Sequence, residues 1–75
     1  MIEPPAIRLG RYRHFKGQEY AVVGLARHSE TLQWQVVYRA LYGEGGLWVR
    51  PAALWVEQVE REGVTMPRFA FLGDA

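Results

Sequence analysis

Residues 33–42 alternate strictly between two sets. Trp34, Val36, Tyr38, Ala40 and Tyr42 fall on one side, and Gln33, Gln35, Val37, Arg39 and Leu41 on the other. Extended chain points successive side chains to opposite faces, so a period of two over ten residues predicts a β-strand. Trp34 and Val36 are expected in the core, with Gln35 and Arg39 in solvent on the opposite face.

Shorter elements surround this strand. Residues 1–9 carry two prolines and no periodicity, and are expected to form an N-terminal tail. A strand is predicted over 10–15, ended by a turn at Lys16, Gly17 and Gln18. A second strand is predicted over 19–28, with Gly24 marking a bulge or bend in its middle. Ser29 to Leu32 form a four-residue hairpin loop whose hydroxyls suit local turn bonding. After the long strand, the glycines of residues 43–46 turn the chain into a fourth strand over 47–50. From Pro51 two readings are open. Ala52, Trp55, Val56 and Val59 have the spacing of a helix face running to Glu62. One helical turn over 51–55 is favoured, because the longer helix leaves too few strands to close the sheet, and Pro51 fits a first helical position. A last hairpin around Arg61, Glu62 and Gly63 then leads through 66–72. This pattern implies an all-β domain over 10–72: a small SH3-like barrel of four or five strands with one short helical turn. Barrels of this kind, closed or half-closed, limit exposed sheet edges.

Three clusters of charged and aromatic residues interrupt the apolar pattern, YRHFKG, ARHSET and YGEGGLWVRP, and PRF follows at residues 67–69. In this order they resemble the bacterial domain-of-unknown-function family 1653 (DUF1653), over residues 10–72. The resemblance implies an SH3-like fold and brings with it no activity, substrate or catalytic residue. Trp34 and Trp55 depart from the family's pattern, where a polar residue and a Phe are expected.

Composition narrows the function classes. Seventy-five residues make one domain. The chain has no cysteine, which excludes disulfides and thiolate chemistry and fits a reducing cytoplasm. Its acidic, proline-bearing start is unlike a signal peptide, and no apolar run approaches the ~20 residues that span a bilayer. A cytoplasmic monomer or small homo-oligomer, without a membrane partner, is expected. Net charge is only +1, too small to imply nucleic-acid binding by itself. Yet eight of the nine basic residues are Arg, whose planar fork suits phosphate and carboxylate.

Residue type and spacing narrow the chemistry. His14, His28 and Glu30 lack the Cys or short-spaced His pairs typical of zinc, so neither metal nor cofactor is expected. Adjacent residues in His28-Ser29-Glu30 point different ways and cannot form a catalytic triad among themselves, so no enzyme is expected. The GEGG loop lacks the following helix that a phosphate cradle needs. Arg residues interleaved with aromatics remain, and that pairing serves anion recognition with stacking. Arg27, His28, Arg50 and Arg68 are the expected anion contacts, converging on one rim, with Tyr42 and Trp48 as stacking surfaces. The function expected is a non-catalytic binding module for nucleic acid or a nucleotide-like molecule. The alternative is an adaptor that binds a peptide or partner protein in an aromatic groove.

Overall fold

A computed structural model of the chain describes residues 4–74. It contains β1 (Gly10–His14), β2 (Glu19–Arg27), β3 (Trp34–Ala40), β4 (Leu47–Pro51), α1 (Ala52–Trp55), β5 (Gln58–Arg61), β6 (Val64–Pro67) and β7 (Phe69–Gly73). Five strands form one antiparallel sheet in the order β4-β3-β2-β1-β7, and β5 and β6 form a separate hairpin. The domain is therefore all-β with one short helical turn, although the strands number seven. The additional strands come from the last hairpin, which turns at Glu62 and Gly63, both at positive φ (55° and 79°). Its second arm breaks at Arg68 into β6 and β7.

The sheet does not close on itself. Its edges are β4 and β7, and closure goes no further than one bond from the Arg68 amide to the Glu57 carbonyl, 2.9 Å. That bond ties the start of β7 to the segment after α1. A register shift between Val22 and Gly24 puts a bulge in β2 where the mid-strand glycine predicts one.

The core lies on one face of the five-stranded sheet, under α1. Tyr12, Val22, Val36, Tyr38 and Phe69 supply the sheet side, and Ala52 and Trp55 supply the helix side. Trp55 fills the middle. Its ring stacks parallel on Phe69 with centroids 3.8 Å apart, and it meets Tyr12 edge-on at 5.4 Å. Deleting a buried aromatic side chain of this size costs about 3–5 kcal/mol, a large share of the stability of so small a domain. Residues before β1 also join in. Ile7 packs against the core, and the Arg8 carbonyl accepts the Tyr12 hydroxyl at 2.8 Å.

Two expectations for the long strand need correction. Val36 is fully buried, but Trp34 is only half-buried, because it packs at the edge of the core where β3 starts and lines an open hollow beside α1. Gln35 is buried, not solvent-exposed: it lies in an inner strand between Ala26 and Pro51, which shield it from both sides. Arg39 is exposed as expected. Among the described residues no helix is long and apolar enough to cross a membrane.

Candidate functional site

Strand register decides which charged residues meet. His14 ends β1 directly opposite Phe69, so both side chains share the core face at its rim. The imidazole meets the Phe69 ring edge-on at 4.9 Å. Arg50 lies opposite Val36 and so also points to the core face. Its guanidinium reaches the same Phe69 ring, 5.3 Å from the centroid. Arg68 directly precedes Phe69, and its carbonyl accepts the Phe15 amide at 2.9 Å. Phe69 thus brings His14 and Arg50 to one ring, with Arg68 beside it in the chain and close enough to act on the same imidazole.

The electrostatics of this cluster are lopsided. Arg68 pairs with Glu57 through Nη2 at 3.4 Å, while its buried Nε has no hydrogen-bond partner. Among the described residues Arg50, half-buried, makes neither an ion pair nor a hydrogen bond. Burial holds the His14 imidazole below its usual pKa, and the positive charges of Arg50, Arg68 and Lys16 depress it further. The His14 Nδ1 accepts the Lys16 backbone amide at 3.2 Å, which requires that nitrogen to be unprotonated. Three permanent cations therefore act on this imidazole, and among the described residues only Arg68 of the three has a carboxylate partner, Glu57.

Aromatic rings continue from this cluster. Tyr20 meets Phe69 edge-on at 5.9 Å, Tyr38 at 5.3 Å and Tyr42 at 5.6 Å. The hydroxyls of Tyr20 and Tyr42 share a hydrogen bond of 2.9 Å. Burial, then that bond to Tyr42, pushes the Tyr20 hydroxyl up to about 12, so it stays neutral at any ordinary pH. Beyond it, Tyr42, Trp48 and the glycine loop between them line a hollow of about 240 Å³. Trp48 is 61% exposed and offers an open indole face.

Arg27 and His28 stand apart from this group. Register sets Arg27 opposite Trp34, at the far end of β2 from Tyr20. The Arg27 Nε donates to the Leu32 carbonyl at 3.1 Å, and the guanidinium lies 5.2 Å over the Trp34 ring. The His28 Nδ1 accepts the amides of Glu30 (3.1 Å) and Thr31 (3.3 Å). Both residues hold the β2–β3 turn. The expected three-Arg rim is thus two arginines, Arg50 and Arg68. His14 and Lys16 join them, and sequence reasoning did not place these two at the site. A signal existed: Tyr12 and His14 are two residues apart in one strand, so a buried Tyr12 brings His14 to the same face.

A second hollow of about 320 Å³ lies between Pro5, Trp34 and α1, and among the described residues no charged side chain lines it. Among the described residues no group of three His, Cys, Asp or Glu side chains gathers as a metal would require.

Comparison with known proteins gives a family without an activity. The model of the family described as "Protein of unknown function (DUF1653)" matches residues 10–71. The crystal structure of a DUF1653 protein from Bordetella bronchiseptica is similar, with 40% identity and a TM-score of 0.85. That similarity covers 93% of this chain and 92% of the other. Among proteins with curated descriptions, none matches the chain.

Proposed function

Because the chain belongs to the DUF1653 family, whose function is unknown, we propose from the site alone that it is a non-catalytic module binding an anionic ligand, either nucleic acid or a nucleotide-like molecule. Arg50 and Arg68 are the anion contacts. Tyr42 and Trp48 provide stacking surfaces, and Lys16 adds positive charge at the edge. A bacterial, cytoplasmic setting is part of the proposal, and the absence of cysteine supports it.

One observation carries this reading. Arg50 is half-buried, lies over the Phe69 ring with no carboxylate or hydrogen-bond partner among the described residues, and like Arg68 is close enough to His14 to depress the imidazole. Withdrawing a charge from water is costly unless something pairs with it. A phosphate oxygen would pair with Arg50 and relieve its repulsion with Arg68, and a base could stack on the exposed indole nearby. The non-catalytic reading rests on the proposed contacts themselves, the guanidinium groups of Arg50 and Arg68 and the rings of Tyr42 and Trp48, which hold a ligand by charge and stacking.

The test is binding of short single-stranded oligonucleotides and of free nucleotides at two salt concentrations, for the parent chain and for Arg50→Ala. The parent is expected to bind at low salt and to weaken as salt rises, with Arg50→Ala at least about tenfold weaker. No binding at low salt, or equal binding by both proteins, rejects the proposal. The adaptor reading draws support from Leu47, Trp48 and Val49, each more than half exposed along one edge strand. Capture of a peptide there would respond little to salt.

A further inference from the structure

We propose that this chain self-associates through the free edge of β4, forming a weak two-fold dimer in which β4 pairs antiparallel with its own copy. β4 is the last strand of its sheet. Its exposed stretch is apolar, with Leu47, Trp48 and Val49 being 56%, 61% and 62% exposed. Folded proteins protect such edges with charge, proline or a covering loop. On β4 the charge of Arg50 turns onto the core face, and Pro51 lies only at the end. Among the described residues nothing of that kind protects the three residues before them.

The hydrogen-bond phase of β4 identifies which groups are free. The Ala40 amide donates to the Gly46 carbonyl at 3.1 Å, in register with the Tyr38–Trp48 and Val36–Arg50 pairs. In an antiparallel ladder bonded pairs alternate with non-bonded ones. Trp48 and Arg50 therefore bond inward to β3, while the amides and carbonyls of Leu47 and Val49 point outward. Among the described residues none of these outward groups meets a backbone partner outside the ladder.

A second copy of the same strand satisfies them in one register. With Trp48 opposite the partner's Trp48, Leu47 and Val49 exchange four backbone bonds with the partner's Val49 and Leu47. The core faces of both copies then lie on the same side. The indoles meet at a non-bonded position, where cross-strand side chains approach most closely. Arg50 faces the partner's Gly46, which has no side chain, so the guanidinium stays open and unopposed. Other registers fit less well. A shift of one residue reverses one copy's faces. Centring on Val49 sets Pro51, which has no N–H, against the partner's Leu47, and centring on Arg50 opposes two guanidinium groups. The contact is far smaller than a standard interface of ~1,600 Å², so the dissociation constant should be on the order of 0.1–1 mM.

Sedimentation between about 20 μM and 1 mM, the range this affinity implies, tests the proposal. The weight-average mass is expected to climb from 8.6 kDa towards twice that value. Val49→Pro removes an outward N–H while leaving the bonds to β3 intact, so it should stay monomeric with an unchanged circular dichroism spectrum. Val49→Lys serves the same purpose should the proline variant fail to fold. In this chain without native cysteine, Trp48→Cys should form a disulfide-linked dimer under mild oxidation. Val49→Cys, facing the partner's Leu47, should not. A parent that stays monomeric to 1 mM overturns the proposal, as does a dimer undiminished in a folded Val49 variant. Cross-linking of Val49→Cys in place of Trp48→Cys overturns the register.

Discussion

His14 reports on the site from inside it, because its imidazole feels each cation gathered around Phe69. Burial lowers its proton affinity most, followed by Arg50, Arg68 and Lys16, and of these three cations Arg68 pairs with Glu57. The folded chain therefore resists a proton that the unfolded chain accepts near pH 6.5. In the window from pH 6.5 down to the folded value, the unfolded state binds more protons, so stability falls with pH there and levels off below. Two histidines make the NMR titration simple to assign. His14 is expected to titrate below 6.5 in the parent and to move up in Arg50→Gln, without full recovery, because burial persists. A bound anion should move it in the same direction, so affinity should rise on acidification through that window. An Arg50→Gln midpoint identical to the parent's would place Arg50 electrically out of reach of His14.

At the scale of elements, the sequence was most legible where one local rule decided the outcome. The period of two gave β3, the mid-strand glycine gave the β2 bulge, and Pro51 gave the start of α1. It was least legible where register decided, because register depends on pairing across the sheet. Arg27, Arg50 and Arg68 all stand at or beside strand ends in the sequence. Only pairing sends Arg27 to Trp34 and brings Arg50 and His14 to Phe69. Glycine gives the same lesson. Gly24 is conspicuous in sequence, yet its φ is ordinary and a Cβ there would meet nothing within 4 Å. Gly10, inconspicuous beside the tail, has φ +138°, and a Cβ there would lie 2.4 Å from the Gly73 carbonyl oxygen. Gly10→Ala should thus strain the β1–β7 pairing and cost on the order of 1–3 kcal/mol, whereas Gly24→Ala should cost well under 1. Urea denaturation of the two variants checks this, and equal midpoints would contradict it.

Across the whole molecule, charge is nearly balanced, and that balance sharpens the ligand prediction. Residues 1–43 hold six basic and three acidic side chains, and residues 44–75 hold three and five, for a net of +1. A field so weak steers little at long range, so any nucleic-acid affinity must come from local phosphate contacts, not general attraction. Two close contacts, Arg50 and Arg68, imply a slope of log affinity against log salt of about −1.4 for a single strand. Arg50→Ala should flatten that slope by about 0.7, and Arg68→Ala, which also frees Glu57, by at least as much. Arg27→Ala, at the other end of β2, should leave the slope unchanged and act only on the β2–β3 turn. Fluorescence anisotropy of a labelled oligonucleotide across a salt series measures all four proteins together. A steep slope shared by every variant would indicate diffuse attraction by the remaining arginines. A flat slope in the parent would transfer the function to the apolar edge of β4 and to a protein partner.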